Sequence, residues 1–133
     1  MPVQRIALRN GKSPEYRRAI AEGVQAALAT CFGLPGPDLY AIIDEYDEGN
    51  LMVPRSYKHY LRTDDVVLIF IFGSTGRSAE KKAALFESIS DNLERSPGLR
   101  RDDVIINIVD TPDENWSVAG GEQLGSATDA RRR

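Results

Sequence analysis

The chain is built from two copies of one segment, and this duplication constrains its fold more than any other feature. When the sequence is shifted by 65 residues against itself, segment 11–50 aligns without a gap with segment 76–115. The identical pairs fall at glycines, caps and apolar positions: Gly11 with Gly76, Ser13 with Ser78, Leu28 with Leu93, Gly33 with Gly98, Asp38 with Asp103 and Asn50 with Asn115. Matches in register over this length indicate an internal repeat.

The first copy has the pattern of a strand, a helix and a second strand. Residues 3–8 are predicted to form the first strand. Ser13 and Pro14 have the residue types of an N-cap and a first helical position, and Gly33 is suited to cap the helix at its C-terminal end. Residues 40–43 are predicted to form the second strand.

The second copy repeats this order. It is predicted to contain a strand over 66–72, a tight turn over 73–76, a helix capped by Ser78 and a strand over 104–109. A strand, a crossover helix and a parallel strand connect with right-handed chirality. The duplication therefore predicts an α+β fold, in which two βαβ units form a four-stranded sheet with both helices on one face.

The two copies are expected to share one domain. With 133 residues, 41% of them hydrophobic, the chain can bury one core, whereas either half alone would be marginal. We predict a single domain over residues 1–120 and a C-terminal tail over 121–133. The repeats span about 2–50 and 66–115, and a loop over 48–65 joins them. A connection of this length is usually functional or an element of assembly.

The predicted sheet has one face that no helix covers. Isoleucines are available for burial on that face, so other subunits should cover it and the chain should form a closed homo-oligomer. The isoleucines expected there are Ile42, Ile69, Ile71, Ile106 and Ile108.

Composition argues against several other classes of protein. A net charge of -3 does not favour a general nucleic-acid surface. There is no apolar run of membrane-spanning length, no signal-peptide pattern and no cluster of residues with metal-ligand spacing. The single cysteine, Cys31, excludes an intramolecular disulfide. We expect a cytoplasmic protein that binds neither nucleic acid nor membrane.

Pro2 is the first candidate for a catalytic residue. Once Met1 is removed, the secondary amine of Pro2 is free, and an α-amine titrates at about pH 8. The neutral amine can take a proton from a carbon next to a carbonyl, and the ammonium can deliver one. If Met1 stays, the nitrogen of Pro2 is an amide without basicity, so activity requires removal of Met1.

Several motifs together resemble the tautomerase superfamily. They are Met1-Pro2, the duplicated βαβ unit, Gly76-Arg77-Ser78-Ala79-Glu80 and Asn115-Trp116-Ser117. The chain is most similar to the malonate semialdehyde decarboxylase group of that superfamily and less similar to the cis-3-chloroacrylic acid dehalogenases. The resemblance implies a homotrimer around a central barrel, no metal or organic cofactor, and an active site at the N-terminal proline.

Arg77 is the candidate for binding a substrate carboxylate. It precedes a helix, where unpaired backbone N–H groups also favour an anion. The resemblance implies the same role, because the family holds its substrate's carboxylate with an arginine at this point. Lys12, the repeat partner of Arg77, marks the corresponding point of the first copy.

Three further site candidates each have two interpretations. Asp38 matches an acid near the proline in the decarboxylase group, but its repeat partner Asp103 favours a shared role in a turn. Tyr40 could line the pocket or lie in the core or an interface. Trp116 could form an aromatic wall of the pocket or pack the C-terminal segment.

The chain differs from the family at one position, where the family has a second arginine. The family carries a second arginine two or three positions before the one matching Arg77, where this chain has Thr75 and Ser74. Their hydroxyls could bind a substrate oxygen only weakly. A cation from the long loop, Arg55, Lys58 or Arg62, could replace the missing charge, whereas His59 is expected to face solvent.

The sequence therefore predicts a cofactor-independent enzyme acting on a small 2-oxo or 3-oxo acid. The expected reaction is keto-enol tautomerisation, with Pro2 as acid and base. The alternatives are a malonate semialdehyde-type decarboxylase or hydratase, and a trimeric ligand-binding module without catalysis.

Overall fold

The computed structural model describes residues 2–34 and 39–125, which form six strands, two long helices and two short 3-10 turns. In chain order the elements are β1 (Val3–Arg9), α1 (Pro14–Phe32), β2 (Ala41–Tyr46), β3 (Ser56–Tyr57), β4 (Tyr60–Leu61), β5 (Val67–Ser74), α2 (Ala79–Arg95), a 3-10 turn (Arg101–Asp103), β6 (Val104–Thr111) and a second 3-10 turn (Asp113–Asn115). No helix among these residues combines the length and apolar character needed to cross a bilayer.

The main sheet joins the two copies edge to edge. Its strand order is β2-β1-β5-β6, with β1 parallel to β2, β5 parallel to β6, and β1 antiparallel to β5. Each copy is thus a βαβ unit, and the antiparallel pair at the centre relates the copies by an approximate two-fold axis. The predicted α+β fold with a four-stranded sheet and two helices is confirmed.

The two helices begin at equivalent positions because the same cap precedes each. The Ser13 side chain accepts a hydrogen bond from the backbone N–H of Tyr16 at 3.1 Å, and that of Ser78 accepts one from Lys81 at 3.2 Å. Such a cap contributes about 1 kcal/mol. Gly33 ends α1 with φ 66°, a left-handed conformation that glycine adopts without steric cost.

The core lies between the sheet and the two helices. Side chains from β1 and β5 meet one face of each helix, and all are almost fully buried: Ile6, Leu8, Ile69 and Ile71 from the sheet, Ile20, Val24 and Leu28 from α1, and Leu85, Ile89 and Leu93 from α2. The helices contact each other above the sheet. Both copies contribute to this core, so neither copy could bury its apolar face alone.

Leu8 provides a test of this shared core. Leu8→Ala should lower the free energy of unfolding by about 2–5 kcal/mol, because Leu8 is 2% exposed and its truncation leaves a cavity. The matched control is Leu61→Ala, at a side chain that is 63% exposed, which should change it by no more than about 0.5 kcal/mol. Urea unfolding followed by circular dichroism measures both. Equal losses in the two variants would contradict the assignment of Leu8 to the core.

The expectation about the open face of the sheet was wrong for four of its five isoleucines. Ile69 and Ile71 are 1% exposed in the core, and Ile106 and Ile108 pack against it. Successive side chains of a strand point to opposite faces, so these residues share the helix-covered face. Ile42, 48% exposed, is the member that lies outside this core.

The open face is nevertheless apolar, because β5 carries apolar residues at both of its alternating sets of positions. The residues of β5 that point away from the helices are Leu68, Phe70 and Phe72, each partly buried. A strand that is apolar on both faces is typical of one covered on both sides.

Strand ends also differ from the prediction. The ladder between β5 and β6 continues to Gly73 with Asp110 and to Ser74 with Thr111, so these residues, expected in a turn or beyond a strand, belong to strands. The second strand of the first copy begins at Ala41 rather than Tyr40 and runs to Tyr46. Backbone pairing with a neighbouring strand sets these ends, and local composition does not reveal it.

The connection over 48–65 folds back as a short hairpin of β3 and β4. Asp103, which is 1% exposed, fixes its end by accepting hydrogen bonds from the Thr63 backbone N–H at 2.7 Å and the Thr63 hydroxyl at 2.6 Å. His59 at the hairpin tip is exposed. The second-copy aspartate therefore has a structural role in anchoring this connection.

Candidate active site

A narrow pocket opens at one end of the sheet, between the start of β1, the end of α1 and the start of α2. Its empty volume of about 250 Å³ includes open solvent, and its interior has room for about one water molecule. Apolar side chains form most of the wall and a few polar groups lie among them, which is the usual character of a small-molecule site. The lining residues are Pro2, Leu28, Phe32, Leu34, Ile71, Gly73, Ser74, Arg77, Ile108 and Asp110.

Sheet register places Pro2 in this pocket. Val3 at the start of β1 pairs with Phe72 in the antiparallel β5, so Pro2 comes beside Gly73. Gly73 in turn pairs with Asp110 on β6. The three residues form one row across the sheet, on the same side as the helices, and Pro2 is buried. The N-terminal residue of one copy thereby reaches the strand ends of the other copy.

Arg77 reaches the same pocket from the turn before α2. Its guanidinium donates a hydrogen bond to the carbonyl oxygen of Ser74 at 3.0 Å and lies 4.4 Å from the ring centroid of Phe32. No carboxylate among residues 2–34 and 39–125 forms an ion pair with it. The remaining donors of this guanidinium are available for a bound anion.

Lys12, the repeat partner of Arg77, differs from it in having a carboxylate partner. Its ammonium lies 2.7 Å from the carboxylate of Asp65, and that hydrogen bond raises the pKa of Lys12. The cation of the first copy is thus neutralised by a residue of the connection between the copies. The second copy has the cation that can hold an external carboxylate.

Asp110 is a pocket residue that was missed in the sequence. Lys82 on α2 donates a hydrogen bond to its carboxylate at 2.6 Å. The repeat contained the signal, since the equivalent positions of the first copy, Arg17 and Glu45, also form an ion pair, at 3.2 Å. Opposite charges at matching positions of both copies predict the same contact between helix and strand in each copy. The sheet register then places Asp110 two strands from Pro2.

The other residues predicted for the site are distributed unevenly. Ser74 lines the pocket, and its hydroxyl donates to Asp113 at 2.6 Å. Thr75 is exposed, Tyr40 is 44% exposed and Trp116 is partly buried, and none of these three lines the pocket. Asp38 lies outside the described residues.

The cations of the connection lie near the hairpin. Arg55 pairs with Asp64, and Arg62 donates to the carbonyl oxygen of Pro54 at 3.2 Å. The Lys58 ammonium lies 5.6 Å from the ring centroid of Tyr57. Within one chain none of the three lines the pocket around Pro2.

A wider cleft lies at the equivalent end of the first copy. It is lined by Arg9, Lys12 and Asp65 among others. Arg9 donates to the carbonyl oxygen of Leu51 at 3.2 Å, and Lys12 is bonded to Asp65. Because both of these cations already have partners and the amine of Pro2 is at the opposite end of β1, this cleft is a weaker candidate for catalysis.

Comparison with known proteins shows that most of the chain is similar to tautomerases. Two family models, each described as a tautomerase enzyme, match residues 2–59 and 38–119. The probable tautomerase YusQ of Bacillus subtilis (strain 168) is 27% identical over 121 residues, which are 91% of this chain and 95% of that protein.

Solved structures of malonate semialdehyde decarboxylases are also similar. One, inhibited by 3-bromopropiolate, is 31% identical with a TM-score of 0.84, covering 90% of this chain and 91% of that one. Another is 26% identical, also with a TM-score of 0.84, covering 90% of this chain and 92% of that one. A symmetric trimer of fused 4-OT shares the fold, with a TM-score of 0.75 at 23% identity over 96% of this chain and 98% of that one.

Proposed function

Because this chain belongs to the tautomerase superfamily, we propose that it is a cofactor-independent enzyme that uses the amine of Pro2 as acid and base on a small 2-oxo or 3-oxo carboxylic acid. The observation that carries the proposal is the meeting of Pro2 with Arg77 in one narrow pocket. Arg77 there has no carboxylate partner in the described part of the chain. Keto-enol tautomerisation is the reaction that this pair of groups supports best.

Arg77 binds the carboxylate of the substrate in this mechanism. A guanidinium can donate two parallel hydrogen bonds to a carboxylate, which fixes both position and orientation. The apolar side chains of Phe32, Leu34 and Ile108 exclude water from the site and strengthen these charged contacts. The acid is then held with its oxo group and neighbouring carbon directed toward Pro2.

Pro2 moves one proton between carbon and oxygen. Starting from the enol, the neutral amine of Pro2 takes the proton from the enol oxygen, and the ammonium so formed delivers it to the neighbouring carbon, which forms the C–H bond, restores the carbonyl and leaves the amine neutral again. In the reverse direction the neutral amine takes the proton from that carbon, and the ammonium so formed gives it to the oxygen. Positioned proton transfer of this kind contributes about 10²–10⁴-fold to a rate.

Decarboxylation is the second candidate, favoured by the likeness to two malonate semialdehyde decarboxylases. There the Pro2 ammonium would donate to the aldehyde oxygen while Arg77 orients the departing carboxylate. Such a reaction gains from a second donor at the oxygen. At the position that would supply it, the hydroxyl of Ser74 is already bonded to Asp113, which makes tautomerisation the better proposal.

Self-association as a homotrimer is part of the proposal. It is supported by the apolar open face of β5, formed by Leu68, Phe70 and Phe72, and by the trimeric neighbour of the same fold. Sedimentation equilibrium should give three times the mass of one chain. Phe70→Glu should lower that mass, whereas Ala84→Glu on the exposed side of α2 should not. A monomeric wild-type chain would contradict this part of the proposal.

A proton NMR time course tests the proposed reaction. The purified protein, with Met1 shown to be absent by mass spectrometry, is mixed with an enolised 2-oxo acid and, separately, with malonate semialdehyde. Ketonisation faster than in buffer, without acetaldehyde, is the expected result. Acetaldehyde would support the decarboxylase alternative. If neither compound changes faster than in buffer, a ligand-binding module replaces the enzyme as the better interpretation.

A further inference from the structure

The two copies differ at one buried position of the pocket wall, where only the second copy has no side chain. Gly73 on β5 is the repeat partner of Leu8 on β1. The side chain of Leu8 is 2% exposed and fills the core at the equivalent point of the first copy. Gly73 is also buried, yet a Cβ built on it meets no atom within 4 Å. The backbone is covered, but the space where a side chain would stand is empty.

Much of the surrounding wall is the same in both copies. Ile71 and Ile108 correspond to Ile6 and Ile43, and the Lys82–Asp110 ion pair corresponds to Arg17–Glu45. All four isoleucines belong to the core or pack against it. The missing side chain at Gly73 leaves open space at the point of the second copy where Leu8 fills the core of the first copy.

The open space has a definite position relative to the candidate chemical groups. Gly73 lies between Pro2 and Asp110 in the row across the sheet. Neighbouring strands are about 4.8 Å apart, so the backbones of Pro2 and Asp110 are separated by about 10 Å. Arg77 lines the same pocket from the turn that follows β5. A molecule whose carboxylate is bound by Arg77 would have its next carbons in the pocket that Gly73 lines.

We propose that Gly73 determines the size of the substrate, because the space left by its missing side chain takes the reacting carbon atoms of a short-chain oxo acid. This inference rests on the proposed function, and it adds the limit on chain length. Gly73 itself has no side chain that could take part in the reaction. A side chain at this position would occupy the place of the substrate carbons beside Pro2, while Arg77 and Pro2 would stay where they are.

The test uses two substitutions of graded size. Gly73→Ala adds one methyl group, and Gly73→Leu introduces the residue that the first copy has at this position. Since φ at Gly73 lies outside the left-handed range, both residues can adopt its backbone. Ala84→Leu, on the exposed side of α2, controls for the added leucine. Thermal unfolding should show Gly73→Ala at least as stable as the wild type, since alanine fits a strand better than glycine.

Two readouts separate size selection from catalysis. The first is kcat/KM for the enol forms of pyruvate, 2-oxopentanoate and 2-oxoheptanoate. The second is binding of the corresponding keto acids, measured by amide chemical shifts without any need for turnover. Gly73→Ala should reduce kcat/KM and affinity at least tenfold more for 2-oxopentanoate than for pyruvate. Gly73→Leu should abolish binding of all three acids, and Ala84→Leu should change neither quantity.

The outcomes distinguish this inference from the proposed function. If the wild type binds the acids without converting them, the proposed reaction fails, and loss of binding in the Gly73 variants still supports the inference. If the wild type is active and folded Gly73→Ala keeps the same preference among the three acids, the inference alone is overturned. Absence of binding to the wild type would also overturn it. Should Gly73→Leu not fold, the comparison with Gly73→Ala remains decisive.

Discussion

Pro2→Ala should lower kcat/KM for the oxo acid by about 10²–10⁴-fold, the contribution of a positioned acid or base. Alanine keeps an α-amine after removal of Met1, but it is a primary amine on a freely rotating chain end. The pyrrolidine ring fixes the nitrogen of Pro2, a buried residue that lines the pocket beside Gly73. Loss of this fixed secondary amine should reduce kcat more than it raises KM.

A second change at the same end removes the amine altogether. An N-terminal extension that the cell does not remove converts the nitrogen of Pro2 into an amide, so turnover should fall to the rate in buffer. Pro14→Ala is the matched control, because Pro14 starts α1 and does not line the pocket. NMR turnover assays and circular dichroism measure activity and fold. An extended chain that remains fully active would exclude Pro2 as the proton carrier.

Arg77→Gln should lower kcat/KM by about 30- to 5,000-fold, mainly through a higher KM. Removing one member of a buried, hydrogen-bonded charge pair costs about 2–5 kcal/mol. Arg77→Lys should recover part of the loss, because lysine keeps the charge but lacks the paired donors of the guanidinium. Arg18→Gln is the matched control, since Arg18 lies on the exposed side of α1 in an ion pair with Glu22.

A neutral substrate separates binding of the carboxylate from a general effect on the fold. A small enolised ketone without a carboxylate should be converted slowly by the wild type and at the same rate by Arg77→Gln. The lost stacking of Arg77 on Phe32 should lower the thermal midpoint only slightly. A variant that loses activity equally toward the acid and the ketone would show that Arg77 acts on the pocket's shape instead of on the carboxylate.

The elements of this fold could be predicted because their signals are local. Ser13, Pro14 and Gly33 mark the helix ends within a few residues of sequence, and the repeat transfers the same assignment to the second copy. The family resemblance drawn from the N-terminal and turn motifs is confirmed by the matching family models. These motifs lie on contiguous stretches, so the sequence shows them without knowledge of the packing.

The pocket's wall could be predicted only in part, because pairing across strands creates it. Pro2, Ser74 and Arg77 were identified from motifs. The position of Asp110 and Gly73 in the pocket follows only from the register of β1, β5 and β6. The same cause explains the misplaced isoleucines. Within one strand the alternation of side chains is fixed, but a strand that is apolar at every position does not show which set faces the helices.

Although the antiparallel pairing of β1 and β5 relates the two copies by an approximate two-fold axis, the chain is chemically asymmetric. A polypeptide has one terminal amine however many copies it contains, and the second copy begins inside the chain at Val67, whose nitrogen is a peptide amide. The pseudo-symmetric counterpart of Pro2 could never carry a proton. At the corresponding end of the first copy, Leu8 fills the core and Asp65 pairs with Lys12.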